Sequence, residues 1–505
     1  MLSRRRLFLL IAPSMSAMVA LLASGAAYAT SFAASTLQYV GDHALAGCSA
    51  PAVGGVSYPG AEVEPNLAVN PTNPDNVIEV YQQDRWSNGG AHGLWTSVTS
   101  TGTNSKPNWK AVSAAPAFDV CTGNSTYDRA SDPWVTFAPS GNAYQIAISF
   151  SLIPGAFSGP SGVLVSKSTN GGSSWSSPTT LIADNSANIL NDKESITADP
   201  TVTTSDYVYA VWDRLVSPSG TAAAPAGDNA FGYRGPTWFS RTTDGVNWSP
   251  ATMIYDPGQE NQTIGNEIVV TPSGGLVDGF DLLYNFQNSG GVQGFNVAAM
   301  RSSDKGSTWS TPTIVDKLVD APVSITVNGA SQPVRTGDII PSFAVDPSSG
   351  NIYAVWQDGR WGGLAQTAFS MSTDGGVTWS PTIDINDPGS YSKQVFTPTV
   401  AVAKDGSLGV TYYQLDSSGG STSYQFIGCS ASCTSSGSWS GETQVGGSFD
   451  MSTAPFAEGY FTGDYGGLVP FGSHGFRSAV VMAQPVAIKG PTDPFSATIC
   501  PASGC

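Results

Sequence analysis

Arginines that share short polar loops with aspartates are the residues of this sequence best suited to bind a charged ligand. Only nine arginines follow residue 29, and five of them fall in such loops. The combinations are Arg85 with Asp84, Arg129 with Asp132, Arg214 with Asp213, Arg335 with Asp338, and Arg360 with Asp358. Guanidinium groups bind carboxylates through two parallel hydrogen bonds. These arginines would therefore suit an acidic sugar or another carboxylate ligand, or each one pairs with its neighbouring aspartate and ties its loop together.

Carboxyl and phenol groups in similar loops add the chemistry of proton transfer. The candidates are Asp132, Glu194, Tyr460 and Tyr465. The pair Asp132 and Glu194 could cleave a polysaccharide by hydrolysis or elimination, since such reactions use two carboxyls. Alternatively, Asp132 is a turn residue before Pro133, and Glu194 is a surface partner of Lys193.

Loops of this kind need a rigid scaffold, and an octapeptide repeat indicates which one. The pattern Ser/Thr-x-Asp-x-Gly-x-Thr-Trp appears at residues 302–309 and 372–379. Altered copies lie at residues 168–175 and 242–248, and degenerate copies end at Trp109 and Trp439. Asp can accept hydrogen bonds from its own turn, Gly permits positive φ, and Trp packs between neighbouring sheets. The repeat is therefore a folding device.

A pair of short apolar strands precedes each octapeptide, for example residues 65–69 with 77–81 and residues 342–345 with 352–356. The repeating unit of four antiparallel strands, about 60 to 70 residues long, is typical of a β-propeller blade. Counting strand pairs predicts seven blades, and six is the alternative if a terminal pair only closes the ring. Residues 36–40 could supply the outer strand of the last blade. The loops named above then meet on the face opposite the octapeptide turns, where propeller ligands are expected.

The termini divide the chain into four segments. Residues 1–29 resemble an export signal, with Arg4, Arg5 and Arg6 before an apolar run and small residues ending at Ala29. Residues 30–61 form an N-terminal segment that could contain the closing strand. Residues 62–484 form the propeller, and residues 485–505 form a C-terminal tail. No later stretch of about 18 apolar residues follows the signal, so we expect a secreted protein without a membrane span.

Composition excludes several kinds of partner. Loss of the three signal arginines would take the formal net charge from -17 to -20, and an acidic surface disfavours nucleic acid and anionic membranes. The 57 glycines and 34 prolines, with only 12% charged residues, fit a turn-rich β protein. Carbohydrate is the partner that we expect.

The six cysteines predict disulfides, because an exported protein with an even number of cysteines usually pairs them. Six cysteines allow 15 pairings. We expect Cys429 with Cys433 and Cys500 with Cys505, as local loops.

No cofactor is required by the sequence. The histidines, His43, His92 and His474, are too scattered for a zinc site. Ca²⁺ bound by loop aspartates is a further alternative, although no ligand spacing demands it.

The octapeptides resemble the Asp-boxes of the sialidase superfamily. Residues 64–71 and 463–468 also resemble segments of bacterial Asp-box proteins identified as exo-α-sialidases, and the resemblance covers roughly residues 62–484. It implies that Arg85, Arg129 and Arg335 bind the substrate carboxylate. It also implies that Asp132 is the acid/base and that Glu194 assists a tyrosine nucleophile, Tyr460 or Tyr465. Further candidates for substrate binding are Arg214, Arg360, Asp84 and Asp338.

Three functions follow for this all-β propeller. The first is an exo-α-sialidase that cleaves terminal sialic acid or a related acidic sugar. The second is a non-catalytic propeller that binds glycans or proteins. The third is a polysaccharide hydrolase or lyase that uses paired carboxylates.

Overall fold

The computed structural model describes residues 31–505 except residues 42–44, 46, 52, 104–105, 113–114, 218–233, 285–293, 387–390 and 417–418. The described residues form β strands and two short 3₁₀ turns, at Ser436–Ser438 and Met451–Thr453. The predicted all-β fold is confirmed. The expected export signal and His43 lie outside the described residues. No helix in the described part of the chain has the length and apolar character needed to cross a membrane.

The first half of the chain contains two short strands and four sets of four strands. The short strands are β1 (Phe32–Ala34) and β2 (Gln38–Tyr39). The first set is β3 (Glu62–Val69), β4 (Val77–Arg85), β5 (Ala91–Thr103) and β6 (Lys106–Ala111). The second set is β7 (Arg129–Phe137), β8 (Ala143–Phe150), β9 (Ser161–Ser168) and β10 (Thr179–Asp184). The third set is β11 (Ile189–Ala198), β12 (Val208–Val216), β13 (Thr237–Thr242) and β14 (Thr252–Tyr255). The fourth set is β15 (Asn261–Val270), β16 (Leu276–Tyr284), β17 (Asn296–Ser302) and β18 (Thr313–Lys317).

The second half begins with a hairpin and continues with the same kind of set. The hairpin is β19 (Val323–Val327) and β20 (Ala330–Arg335). The fifth set is β21 (Ser342–Val345), β22 (Ile352–Asp358), β23 (Gln366–Ser372) and β24 (Ile383–Asp384). The sixth set is β25 (Gln394–Val402), β26 (Leu408–Leu415), β27 (Ser421–Cys429) and β28 (Thr443–Asp450). The remaining strands are β29 (Tyr460–Phe461), β30 (Gly467–Phe471), β31 (Gly475–Ala483) and β32 (Thr492–Pro501).

Strand pairing follows one rule through these sets. Consecutive strands of each set pair antiparallel, and the first strand of each set contacts the first strand of the next. The strand β30 in turn contacts β3, and the hairpin strand β20 pairs in parallel with β29. Apolar cores lie between neighbouring sets, as in the cluster that joins Ile146 and Val165 of the second set to Ile196 and Trp212 of the third. The starts of the first strands are thereby brought close together.

The chain ends take part in the last sheet. The strand β32 lies within residues 485–505, which the sequence predicts to be a tail, and it pairs with β31. No octapeptide marks this strand, which is why the repeat pattern stops short of it. Both β1 and β2 pair with β32, and β2 falls within the predicted closing segment 36–40.

Three disulfides link the six cysteines. The two local pairs expected from the sequence, Cys429–Cys433 and Cys500–Cys505, are present. The third disulfide joins Cys48 to Cys121, across 73 residues of sequence.

Hydrogen bonds within the octapeptide turn explain its sequence. Asp304 Oδ1 accepts from the Thr308 N–H at 2.8 Å, and Asp304 Oδ2 accepts from the Thr308 hydroxyl at 2.7 Å. These hydrogen bonds lower the pKa of Asp304 to about 2. The Ser302 hydroxyl donates to Asp304 and accepts from the Gly306 N–H, both at 2.8 Å. The turn therefore satisfies its own polar groups.

The tryptophan of the turn packs on the neighbouring set. Trp309 lies edge-on to Phe239, with ring centroids 5.6 Å apart. Gly306 has φ +86°, and a Cβ there would lie 2.4 Å from an atom of the Phe239 ring. Glycine is thus required both for the backbone conformation and for the approach of the two sheets.

Bulges at the starts of the first strands are the feature that positions the candidate site. In five sets, the register of the first and second strands shifts there. Each bulge holds one residue with positive φ, namely Glu64, Asp132, Lys193, Gly265 and Thr397. Because a bulge adds a residue to one strand, it redirects a side chain out of the regular alternation.

We predict that Ser302→Ala destabilises the fold while Ser303→Ala does not. Ser302 is buried and makes two hydrogen bonds in the turn, whereas its neighbour Ser303 is exposed. Loss of the buried hydroxyl leaves the Gly306 N–H without its acceptor, which costs about 1–3 kcal/mol. The free energy of unfolding from denaturant titration measures the difference. Equal stability of the two variants would contradict this account of the octapeptide.

Candidate functional site

Three of the five bulge residues, Glu64, Asp132 and Lys193, line a cavity of about 380 Å³, which we call the bulge cavity. Its charged lining consists of Glu64, Arg85, Asp132, Asp192, Lys193, Asp320, Arg335, Asp338, Glu458 and Asp464. Seven carboxyls thus share the cavity with three cations. Four of the residues predicted from the sequence, Arg85, Asp132, Arg335 and Asp338, are brought together here.

An ion pair between Arg335 and Asp464 lies at one side of the bulge cavity. Arg335 Nε donates to Asp464 Oδ1 at 3.0 Å, and Nη2 donates to Oδ2. Glu458 lies 3.5 Å from the third guanidinium nitrogen, and the ring of Phe461 lies under the guanidinium carbon at 4.8 Å. Burial tends to raise the pKa of Asp464, but the charge and hydrogen bonds of Arg335 outweigh burial and lower it. Asp464 is therefore held as a carboxylate.

Glu64 has the opposite environment. The residue is buried, and neither carboxyl oxygen accepts a hydrogen bond from a donor among the described residues. Burial, followed by the negative charge of Asp132, raises the pKa of Glu64 well above its usual value. Arg85, 4.0 Å from Oε2, offsets this only in part. Hydrogen bonding with Glu64 lowers the pKa of both Asp132 and Asp464, so a protonated Glu64 can donate to either neighbour.

Lys193 supplies the cation on the other side of Asp132. Its ammonium nitrogen lies over the rings of Trp134, at 4.7 Å, and Tyr465, at 4.2 Å. Burial raises the pKa of Asp132, and Lys193 partly opposes this effect. The two residues occupy equivalent bulge positions on neighbouring strands, which is why they meet.

Two further carboxyls of the bulge cavity have a pKa near neutrality. Burial and the charge of Asp132 raise the pKa of Asp192 to about 7. Burial and the neighbouring Asp320 raise the pKa of Asp338 to about 7. Such groups change protonation state in the range where most hydrolases work, which suits a general acid or base.

Glu194 and Tyr465 lie beside the bulge cavity without lining it. Glu194 is fully buried with no hydrogen-bond partner on its carboxyl oxygens among the described residues, and burial raises its pKa well above the usual value. Tyr465 donates its hydroxyl to the Pro133 carbonyl at 3.2 Å, and burial raises its pKa. A hydroxyl in this environment is a poor nucleophile.

Three predicted arginines do not line the bulge cavity. Arg129 donates to Asn88 Oδ1 and to the Gly89 carbonyl, both at 2.9 Å, and burial lowers its pKa to about 10. Arg214 forms a two-point ion pair with Asp184. Arg360 binds Asp358 and Asp316. For Arg214 and Arg360, a carboxylate of the protein already occupies the place of a ligand carboxylate.

The remaining candidates, Asp84 and Tyr460, make contacts that hold neighbouring segments of the chain in place. Asp84 accepts from the Gly60 N–H at 2.7 Å and lies 3.3 Å from His92 Nδ1. Tyr460 lies in β29 and pairs with Val334 of the hairpin, next to the ring of Phe456. In the described ranges, no group of three or more His, Cys, Asp or Glu side chains is arranged to hold a metal ion.

Sequence reasoning did not select Glu64, Asp192, Lys193 or Asp464 as site residues. One signal could have found part of this set, because Glu64, Asp132 and Thr397 each stand before a proline at the start of a repeat. Their common position predicts a common direction for their side chains once the bulge is known.

Comparison with known proteins gives distant matches. No family model matches the chain. A xyloglucanase of Hypocrea jecorina is 31% identical over 143 residues, which is 28% of this chain and 15% of that protein. Among solved structures, a Hadza microbial sialidase is 12% identical with a TM-score of 0.45, covering 85% of this chain and 73% of that one. The α-L-arabinofuranosidase of Fusarium graminearum in complex with arabinobiose is 13% identical with a TM-score of 0.44, covering 75% of this chain and 96% of that one.

We predict that the protein is most stable near pH 5 and loses stability toward pH 8. Carboxyls whose pKa burial raises to about 7 are Asp119, Asp192, Glu267 and Asp338. Between about pH 4 and pH 7, the unfolded chain releases these protons while the folded chain retains them, so stability falls as pH rises. Below about pH 4, the ion-paired Asp464 and similar carboxyls reverse the slope.

Calorimetry at pH 5 and pH 8 measures this difference, and we expect the Tm to be lower at pH 8 by at least about 5 °C. Asp192→Asn should reduce the difference, since it removes one of the titrating groups. Asp244→Asn is the matched control, because hydrogen bonds of its exposed turn lower the pKa of Asp244. A Tm that rises from pH 5 to pH 8 would contradict the prediction.

Proposed function

We propose that the chain is a secreted, glycoside hydrolase-like β-propeller whose bulge cavity binds a carbohydrate and hydrolyses a glycosidic bond. Its sets of strands are the blades, seven in number, and β1 and β2 complete the last one. The contact of β30 with β3 and the pairing of the N-terminal strands with β32 support this ring. The three disulfides support an extracellular location.

The observation that carries the proposal is the pair Glu64 and Asp464 in one cavity. Burial keeps Glu64 protonated, and Arg335 keeps Asp464 ionised. Carboxyls whose surroundings move their pKa values in opposite directions are the usual sign of acid–base catalysis. Glycoside hydrolysis needs an acid for the leaving group and a base for water.

The proposed reaction uses three carboxyls. Glu64 donates its proton to the glycosidic oxygen as the bond to the anomeric carbon breaks. Asp338 accepts a proton from the water whose oxygen bonds to that carbon. The Asp464 carboxylate stabilises the positive charge that develops on the sugar ring. The products are a free sugar and an alcohol.

The narrower proposal of an exo-α-sialidase has partial support. Arg85 and Arg335 line the bulge cavity and could face a substrate carboxylate, but Arg335 is already bound to Asp464. The Tyr465 hydroxyl is committed to a main-chain carbonyl. These contacts favour a neutral sugar, and the local identity with a xyloglucanase is in keeping with that choice.

We predict that Glu64→Gln lowers turnover at least about a thousandfold, because the amide cannot donate the proton. Asp338→Asn should lower turnover about a hundredfold or more. In the wild type, activity should fall below about pH 7, where Asp338 becomes protonated and can no longer act as a base. The assay is release of 4-methylumbelliferone from a panel of its glycosides, including the α-sialoside.

Asp75→Asn is the control for a neutralised carboxyl, since Asp75 is exposed and lies outside the bulge cavity. Sugar binding without turnover of any glycoside would favour a non-catalytic propeller. Full activity of Glu64→Gln would contradict the assignment of the acid.

We predict that Tyr465→Phe retains activity within about threefold. The hydroxyl donates to the Pro133 carbonyl and not into the cavity, so its loss removes a positioning contact only. A sialidase-type mechanism requires the opposite result, since its tyrosine is the nucleophile. Turnover of the α-sialoside by the wild type, together with loss of that activity in Tyr465→Phe, would establish the narrower proposal in place of the carboxyl mechanism.

A further inference from the structure

Apolar side chains form a second part of the bulge cavity, distinct from its charged floor. They are Ile148, Phe150, Leu152, Phe157, Leu190 and Ile264, and we call them the apolar collar. Phe150 pairs with Arg129, three residues before Asp132, and Leu190 stands three residues before Lys193. Phe150, Leu152, Phe157 and Leu190 thus lie toward the strand starts and the loops, whereas Glu64, Asp132 and Lys193 lie at the bulges.

Neighbouring residues of the fold hold the collar in position. A Cβ on Gly90 would lie 2.7 Å from the tip of the Phe150 ring, and Gly90 has φ +65°. The turn that contains Gly90 is held by Arg129, which donates to the neighbouring Gly89 carbonyl. Arg129 is therefore a positioning residue for the collar, since it is buried at the start of β7 and holds a turn that lines the cavity.

Leu190 and Phe157 support a further side of the collar. Together with Leu215 they form a small apolar cluster of their own. Leu152 is partly buried and packs against the core between the second and third sets. Aliphatic groups that line an open cavity leave apolar surface in water, which costs about 25 cal/mol per Å² until a ligand covers it.

Two indole faces near this cavity, on which a chain of sugar rings could stack, are covered by cations. Arg129 lies over Trp86 at 4.2 Å, and Lys193 lies over Trp134 at 4.7 Å. A cavity of about 380 Å³ has room for one sugar ring and a second group of similar size. The collar offers that second group aliphatic and phenyl side chains and no charge.

We infer that the substrate is a glycoside with an apolar aglycone, such as an aryl or alkyl group. The sugar lies at the charged floor, and the aglycone lies in the apolar collar. The sugar half of this inference rests on the proposed function, whereas the collar can be tested without any hydrolysis. The reaction would release the apolar alcohol or phenol and the free sugar.

Binding of 4-methylumbelliferone alone, followed by fluorescence anisotropy, tests the collar. We expect the wild type to bind this aryl probe and Leu152→Ser to bind it about five- to tenfold more weakly, because a buried leucine is lost from the contact. Ile153→Ser is the matched control, since Ile153 is the adjacent residue, is exposed, and does not line the cavity. It should bind as the wild type does. A Tm measurement verifies that both variants are folded.

No binding of the probe by the wild type, or equal binding by Leu152→Ser and the wild type, would overturn the inference. Probe binding that is weakened in Leu152→Ser, with no glycoside hydrolysed, would leave the collar supported and refute the hydrolase. Hydrolysis of methyl glycosides with the same KM as aryl glycosides of the same sugar would refute the collar and leave the hydrolase standing.

Discussion

The ion pair of Arg335 with Asp464 is the interaction that keeps one carboxyl of the bulge cavity ionised among neighbours whose pKa burial raises. It joins the end of the β19–β20 hairpin to the segment before β30, and two hydrogen bonds fix its geometry. Both side chains are partly exposed, so removing one partner leaves the other charge without its compensation but still in contact with water. Arg335 keeps Asp464 ionised, whereas burial, followed by the charge of Asp132, raises the pKa of the neighbouring Glu64, and the charge of Asp464 adds to that effect. Two carboxyls of one cavity are thereby held in opposite protonation states.

The bulges place these groups at some cost to the backbone. Glu64, Asp132 and Thr397 have positive φ, although none is glycine and each precedes a proline. Residues before proline prefer extended conformations, and left-handed φ in such residues costs of the order of 1–3 kcal/mol. The same strained conformation recurs at one position of several strands. Two of these three residues, Glu64 and Asp132, place charged side chains in the bulge cavity, and strain at such positions is the pattern expected of a functional site.

The sequence predicted the strands well because period-two patterns and turn residues are local properties. Residues 65–69 with 77–81 lie within β3 and β4, and the two local disulfides were expected from spacing alone. The bulges could not be predicted from local sequence patterns. A bulge is a mismatch in the pairing of two strands and not a property of either strand alone. Arg360 does bind the neighbouring Asp358, as one alternative from the sequence expected, but the distant partners of two other arginines were out of reach. Arg214 binds Asp184, 30 residues away, and Arg335 binds Asp464, 129 residues away.

The carboxyls of the octapeptide turns and those of the bulge cavity show how the fold separates structure from chemistry. Asp304 and Asp374 are exposed, and hydrogen bonds from their own turns lower their pKa to about 2. Asp192 and Asp338 receive no such set of donors, and burial raises their pKa to about 7. The same residue type is thus fixed as an anion at the turns and left able to exchange a proton in the cavity. The turns need a carboxylate that always accepts hydrogen bonds, whereas hydrolysis needs a carboxyl that gains and loses a proton. The direction of the pKa shift therefore distinguishes a structural aspartate from a catalytic one, which the residue type alone cannot do.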